Sequence, residues 1–287
     1  MPNIPTRFKR LPLKKSPGKT FPAGLSGLKN RFCARIRSVF KRIFHCLLRW
    51  LGIRRLREHS FFATLLGRPA AVADFGAHRG EFYAALKSEH PISRALLIEA
   101  DPALAESLKE TFHAEADVVH AAVVAEAKRG SVTFTRSIEP ESSSVFREWS
   151  AAHGIVDQVT VPTLDFSDTV KCFTERIDLI KMDVEGAEIG LLESASASDL
   201  ASCGQLTVEF HDKRAPFTRR DVDRVCRRMR AEGYAIVMAN WPKLDDVLFV
   251  NLKGISVTKR IALRCRVAMA NALFIVRRTI FGSGYSS

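Results

Sequence analysis

Short apolar runs alternate with stretches of helical periodicity through the middle of the chain. Ala70–Phe75, Ala95–Glu99, Asp117–Val123, Ile177–Asp183, Gln205–Phe210 and Tyr234–Ala239 have the length and composition of buried strands. Glu81–Glu89, Ala103–His113, Glu185–Glu193 and Arg219–Glu232 lie between them with helical spacing. This order predicts a doubly wound α/β fold, a mostly parallel sheet covered on both faces. Gly130–Thr135 and Val247–Leu252 read as two further strands, the second an antiparallel edge, and Ser137–Ser150 as a surface loop near the site.

Both ends follow a different pattern. Residues 1–24 are rich in Pro, Lys and Arg without periodicity and read as a disordered basic arm. Leu25, Leu28, Phe32, Ile36, Phe40, Ile43, Leu47 and Leu51 then recur at steps of three and four among bases such as Lys29, Arg35, Lys41 and Arg42. That spacing predicts a basic amphipathic helix over Leu25–Leu56. The tail Ser256–Phe281 is again helical, apolar and basic. The expected organisation is an arm (1–24), a basic helical segment (25–60), the α/β domain (61–255) and a C-terminal helix with its tail (256–287).

Charge sharpens this division. The net charge of +13 is spread unevenly: residues 1–60 hold sixteen Lys/Arg against one acid, and residues 247–287 hold seven against none. The body between carries a net −9. An acidic body between basic ends points to an anionic surface as partner. The N-terminal helix sets bulky apolar residues opposite its bases, which suits a lipid interface better than a phosphate backbone, so nucleic acid is the less expected partner. The six cysteines are scattered, without CxxC or metal-ligand spacing, as in a reducing compartment. No leader with an apolar core and cleavage site is apparent, and no run of about 18 uncharged apolar residues would span a bilayer. A cytoplasmic protein, peripheral on the membrane, is the expectation.

Candidate chemistry gathers at the strand ends. The first strand runs into Asp74-Phe75-Gly76-Ala77-His78-Arg79-Gly80 and then a helix, a turn whose glycines let a ligand approach the backbone. The second ends in Glu99, nineteen residues after Gly80, where a carboxylate can accept from both ribose hydroxyls. This is a nucleoside-binding half-fold. The turn lacks the middle glycine of a dinucleotide fingerprint, and Asp74 suits a ligand carrying an ammonium group, so S-adenosylmethionine is favoured and NAD is the alternative. The fourth strand ends at Asp183, followed by Glu185 and Glu188 three apart on one helix face, as ligand contacts or as helix capping and dipole partners. The fifth ends in Glu209 and His211 on one side of the strand. His211 is a candidate general base or a structural His. Asp183, Glu209 and His211 form an alternative set for a divalent metal, but without tighter spacing no resident metal is expected. Lys181, inside a strand, is expected to pair with Asp178 or Glu209. Phe146, Trp149 and Trp241 are core residues or the floor of an acceptor site.

The segments Asp74–Gly80, Glu99–Pro102, Thr163-Leu164-Asp165 and Lys181–Glu188 resemble, in order, the D-x-G-A-x-x-G, E-x-x-P, T-L-D and K-x-D-V-E-G-x-E blocks of the FkbM-type methyltransferase family. The resemblance covers about residues 70–250, and His78 stands where the family usually has Asn. It implies a Rossmann-like S-adenosylmethionine-dependent O-methyltransferase acting on a sugar or other small hydroxylated metabolite. Cofactor contacts then fall to Asp74, Gly76, Ala77, Gly80, Glu99 and Asp183, and catalysis to Asp183, Glu185 and His211. A membrane-surface adaptor that keeps the nucleoside fold without chemistry is a competing reading. A nucleic-acid methyltransferase is disfavoured because the fourth strand ends Asp-Val-Glu, not in an Asn/Asp-Pro-Pro-aromatic quartet.

Overall fold

The apolar runs pair as the alternation predicts. The computed structural model describes residues 23–125, 127, 130–139, 142–151, 153–211, 217–239 and 243–281. Most of the predicted arm, the side chains of Leu25, Leu28, Phe32 and Ile36, and Trp241 lie outside what is described. Helix α1 (Ala23–Trp50) leads into a hairpin, β1 (Ile53–Leu56) and β2 (His59–Phe62), then β3 (Ala70–Phe75), α2 (Glu81–Glu89), β4 (Ile92–Glu99), α3 (Pro102–Phe112), β5 (Asp117–His120) and β6 (Ala122–Val123). There follow β7 (Ser131–Ser137), α4 (Arg147–Ala151), β8 (Ile155–Leu164), α5 (Phe166–Lys171), β9 (Ile177–Met182), α6 (Glu188–Ser194) and α7 (Ala197–Ala201). The last elements are β10 (Cys203–Val208), α8 (Arg219–Ala231), β11 (Tyr234–Met238), β12 (Val247–Asn251) and α9 (Val257–Phe281). The chain divides into two units between His45 and Cys46. In the first, the bases Arg35, Lys41 and Arg42 and the apolar Val39 and Ile43 are exposed on α1.

The second unit is built on a seven-stranded sheet, β11-β12-β10-β9-β3-β4-β5, with β12 antiparallel to both neighbours and β3, β4, β5, β9 and β10 parallel. The fold is therefore the doubly wound, mostly parallel, Rossmann-like one. Val247–Asn251 is antiparallel as expected but not an edge. All five of its residues are buried, so it sits inside the sheet and leaves β11 at the rim. A small second sheet, β6-β8-β7, flanks the main one.

Helix α9 covers the β11 edge. Leu263, Val267, Ala270 and Phe274 form its buried stripe, whereas the neighbouring Ile275 is exposed. Asn271 finishes the contact: its Oδ1 accepts from Met238 N and its Nδ2 donates to Ile236 O, both at 2.9 Å. An edge strand covered in this way cannot template further pairing. Burial of each large apolar side chain on this face contributes roughly 1.5–3 kcal/mol.

The basic helix ends sooner than its periodicity predicts. Gly52, at φ +82°, turns the chain after Trp50, and Ile53–Leu56 is extended. The hairpin packs with the core because Phe61 and Phe62 are buried and Gln205 bonds both ways to the Phe62 backbone (2.7 and 3.1 Å). Buried Asp246 also accepts from Ser60 N at 3.0 Å and Ser60 Oγ at 2.6 Å. Residues 46–60 therefore belong with the α/β unit and not with a separate basic segment.

Candidate active site

Strand order reverses between β3 and β9, and ligands of doubly wound sheets sit at the carboxyl ends of strands at such a point. The β3 and β9 loops touch there: Asp183 N donates to Phe75 O at 3.1 Å. Gly76 has φ +71°, and a Cβ on it would lie 1.9 Å from Asp183 O. Only glycine fits both the backbone and the gap. Beside it opens a cavity of about 390 Å³.

Gly76, Ala77, His78 and Glu99 line one part of this cavity. Glu99 Oε2 accepts from His78 N at 2.7 Å and Oε1 from Asp101 N at 2.8 Å, so one carboxylate ties together the turns after β3 and β4. Burial raises its pKa, and the two backbone donors oppose that shift. His78 is held at φ +50° with Nε2 buried and, among the described residues, without a hydrogen-bond partner. Asp101 and Pro102 serve the fold. Asp101 caps α3, accepting from Ala103 N at 2.8 Å, and Pro102 takes the first helical position. Asp165, in the Thr-Leu-Asp block, likewise caps α5 in a reciprocal pair with Asp168.

Two expected cofactor contacts have other partners. Asp74 is buried behind the cavity, and the ammonium beside it is that of Lys181, 3.3 Å from Oδ1. Gly80 is not on the cavity wall. A Cβ there would meet Phe112 at 2.4 Å, so this glycine makes room for α3. Lys181 does not pair with Asp178 or Glu209. It bridges Asp74 and Asp183 (3.6 Å) and donates to Gly76 O at 2.6 Å. Burial opposes its charge, but Asp74 and Asp183 outweigh that and hold Lys181 protonated.

Asp183, Glu185 and Glu209 line the other part of the cavity, with His59. Glu185 and Glu188 do not share a helix face, because α6 starts only at Glu188. Glu185 lies in the preceding turn at φ +49°, a left-handed conformation that costs a non-glycine residue energy and points to function. It is secured by Ser144 Oγ donating to its carbonyl (2.6 Å) and by Trp149 Nε1 donating to its Oε2 (3.1 Å). Glu188 is fully buried and shapes the turn, accepting from Val184 N at 3.0 Å and Gly186 N at 3.1 Å.

His211 is clamped among these acids. Its Nδ1 is 3.2 Å from Glu188 Oε1, and its Nε2 is 3.5 Å from Glu185 and 3.9 Å from both Asp183 and Glu209. Burial disfavours the imidazolium, but Glu188, Glu185 and Asp183 prevail and push the pKa up to about 10. Glu185, whose pKa comes to rest lower at about 8, lies nearer the working pH than His211, so of the two it is the better placed to take a proton and His211 the more persistent cation. Burial pushes Glu185 up to about 8 and Glu209 up to about 9, whereas Lys181 and His211 overcome burial to keep Asp183 ionised. His59 and Trp149 are site residues that sequence reasoning missed or left as packing. His59 lies in a four-residue strand too short for a periodic signal, and Trp149 shows its role only through its contact with Glu185.

A glycine turn, a doubly anchored strand-end acid and a charged carboxyl edge beside one cavity make a nucleoside-cofactor site on a Rossmann-like fold. A family model described as a methyltransferase FkbM domain matches residues 74–236. The chain belongs to that family, a methyltransferase family whose cofactor is S-adenosylmethionine. No curated protein matches it. Among solved structures it is similar to methyltransferase FkbM from Methylobacillus flagellatus, at 17% identity and TM-score 0.42, over 66% of this chain. It spans 46% of that protein's length. It is also similar to a putative tRNA (m1A22) methyltransferase of Streptococcus pneumoniae, at 11% identity and TM-score 0.37, over 76% of this chain and 80% of that one. A third likeness is to M. capricolum TrmK in complex with S-adenosyl-homocysteine, at 8% identity and TM-score 0.34, over 69% and 71% of the two chains.

Proposed function

We propose that this protein is an O-methyltransferase acting on a hydroxyl of a sugar or other small, lipid-linked metabolite at an anionic membrane surface. The observation that carries the reaction is the single cavity lined at one part by Gly76, Ala77 and Glu99 and at another by Asp183, Glu185 and Glu209. The first set fits S-adenosylmethionine. Gly76 permits close approach to the backbone, Glu99 retains lone pairs for ribose hydroxyls, and the orphaned His78 Nε2 offers a further polar contact.

The bound cofactor supplies a methyl group activated on a sulfonium. An acceptor oxygen would take that methyl with the S–CH3 electron pair left on sulfur, so the hydroxyl proton would have to pass to a residue of this chain. Glu185, strained into the cavity wall and fixed by Trp149, is the group we assign to receive that proton in its ionised form, which the His211 cation favours and which predominates above about pH 8. His211 positions Glu185 as its cationic neighbour. Calorimetry with S-adenosylmethionine followed by an acceptor screen tests the reading. Glu185→Gln should lower turnover by about 10²–10⁴ with cofactor affinity within about threefold of the parent, and full activity in the variant refutes the assignment.

The membrane part rests on the charge partition and on exposed apolar residues among exposed bases. These are Val39 and Ile43 on α1, and Ile261, Val276 and Ile280 with Lys259, Arg264 and Arg278 on α9. Among the described residues no helix is long and apolar enough to cross a membrane. A basic side chain near an anionic surface contributes about 1 kcal/mol, so several acting together support reversible docking on the cytoplasmic face.

A further inference from the structure

We infer that His59, Asp183 and Glu209 form a binding site for a divalent transition-metal ion in the acceptor part of the cavity. The inference rests on the methyltransferase reading for its use, but not for its geometry. One ligand atom from each residue lies within 4.8 Å of the other two, and all three residues line the cavity. Ligands about 2.1 Å from one ion stand roughly 3.0–3.4 Å apart, so the three side chains would close in by up to about 1.5 Å through their torsions on binding.

Two observations beyond proximity point to a ligand. His59 is only 3% exposed, its Nδ1 is 3.4 Å from Thr207 Oγ1, and its Nε2 makes no hydrogen bond among the described residues. A buried imidazole oriented by one nitrogen and free at the other is the usual state of a histidine ligand. Asp183 Oδ1 is also buried and makes no hydrogen bond among the described residues, with His211 Nε2 3.9 Å away, while Oδ2 faces Lys181.

The scaffold behind His59 is rigid. Strand β2 is bolted to the sheet at two of the three residues that follow His59, Ser60 through Asp246 and Phe62 through Gln205. His59 lies outside the span matched by the family model, so this ligand would be contributed by the chain's own hairpin. A second trio of suitable geometry, Asp183, Glu188 and His211, is a weaker candidate. Glu188 is already engaged by Val184 N, Gly186 N and His211 Nδ1. One nitrogen and two carboxylate oxygens suit Mn²⁺ or its neighbours better than Ca²⁺, and three protein ligands leave positions open for acceptor oxygens.

The test titrates Mn²⁺ into the full chain, stripped with EDTA and free of S-adenosylmethionine, following the free-ion signal by electron paramagnetic resonance. One saturable site per chain is expected, weakened at least about tenfold in His59→Gln and in Glu209→Gln. Thermal midpoints measured without Mn²⁺ establish that each variant is folded, and either folded variant suffices. Absence of saturable binding by the parent, or unchanged binding by a folded variant, overturns the site. S-adenosylmethionine titrated separately keeps the two readings apart: a chain that binds Mn²⁺ at this site but not the cofactor retains the metal site and loses the methyltransferase function.

Discussion

Glu99→Gln is the sharpest perturbation of the cofactor part of the cavity. The change preserves shape and removes one oxygen and the charge. Both carboxylate oxygens already face backbone donors, His78 N at 2.7 Å and Asp101 N at 2.8 Å. A glutamine can satisfy only one. Its amide N–H₂ must then meet the other N–H, leaving a buried donor unpaired at a cost of about 1–3 kcal/mol. The surviving bond also loses its charge assistance, which roughly halves its strength.

Two consequences separate in the assay. The turns after β3 and β4 loosen in the free protein, and a loss of about 2 kcal/mol lowers the thermal midpoint by roughly 4–8 °C in a domain of this size. The ribose loses charge-assisted bonds, so S-adenosylmethionine should bind at least about tenfold more weakly by calorimetry. S-adenosylhomocysteine, which shares the ribose, should weaken in parallel. Unchanged affinity for both, with an unchanged midpoint, refutes the account of Glu99, and tight NAD binding by the parent refutes the cofactor assignment.

Gly76→Ala should lower the thermal midpoint and abolish cofactor binding, since φ +71° and a Cβ 1.9 Å from Asp183 O together cost at least about 2 kcal/mol. Near-parental binding by calorimetry contradicts this. Burial, against Arg55 and Ser60, raises the pKa of Asp246 from 3.8 to about 6, so the folded chain holds this proton more tightly than the unfolded one. Its contribution is full below about pH 4 and declines as pH rises through 6, by about 3 kcal/mol, and Asp246→Asn should remove that slope from urea unfolding measured across pH. The full chain should sediment with anionic liposomes at low salt, release at high salt, and bind less in Lys41→Glu/Arg42→Glu; indifference to anionic lipid, or preference for RNA in parallel, removes the membrane proposal.

Strand-forming runs were legible wherever burial on both faces made them continuously apolar. Ala70–Phe75 begins and ends where its composition changes, and α2 follows at Glu81 as the periodicity predicts. The β1–β2 hairpin was not legible. Ile53–Leu56 continues the helical spacing of the residues before it, and its extended state comes from Gly52 and from pairing with β2, whose Phe61 and Phe62 are buried. Local pattern favoured helix, and tertiary packing overrode it. Strand β8, Ile155–Leu164, has Val161 as its one buried residue among exposed and half-buried positions and is interrupted by Asp157, Gln158 and Pro162, so it carries no apolar run that announces a strand.

In the site, residue type and position at a strand end were readable, while the direction of each interaction was not. Asp74 and Gly80 belong to the right turn, yet one answers to Lys181 and the other to Phe112, each more than twenty-five residues away. His211 shows the point in its protonation. A lone histidine at a strand end has an ordinary pKa and every qualification for a base. Three carboxylates brought to it by the turn after β9 reverse that property. The same turn moves Glu185 off the helix and into the cavity, so one left-handed residue both supplies a candidate acceptor for the proton and helps raise the proton affinity of His211. The acid–base character of this edge therefore resides in the conformation of Asp183–Glu188. A substitution that relaxes φ at Glu185 should change the charge state of His211 as well as the reach of the carboxylate.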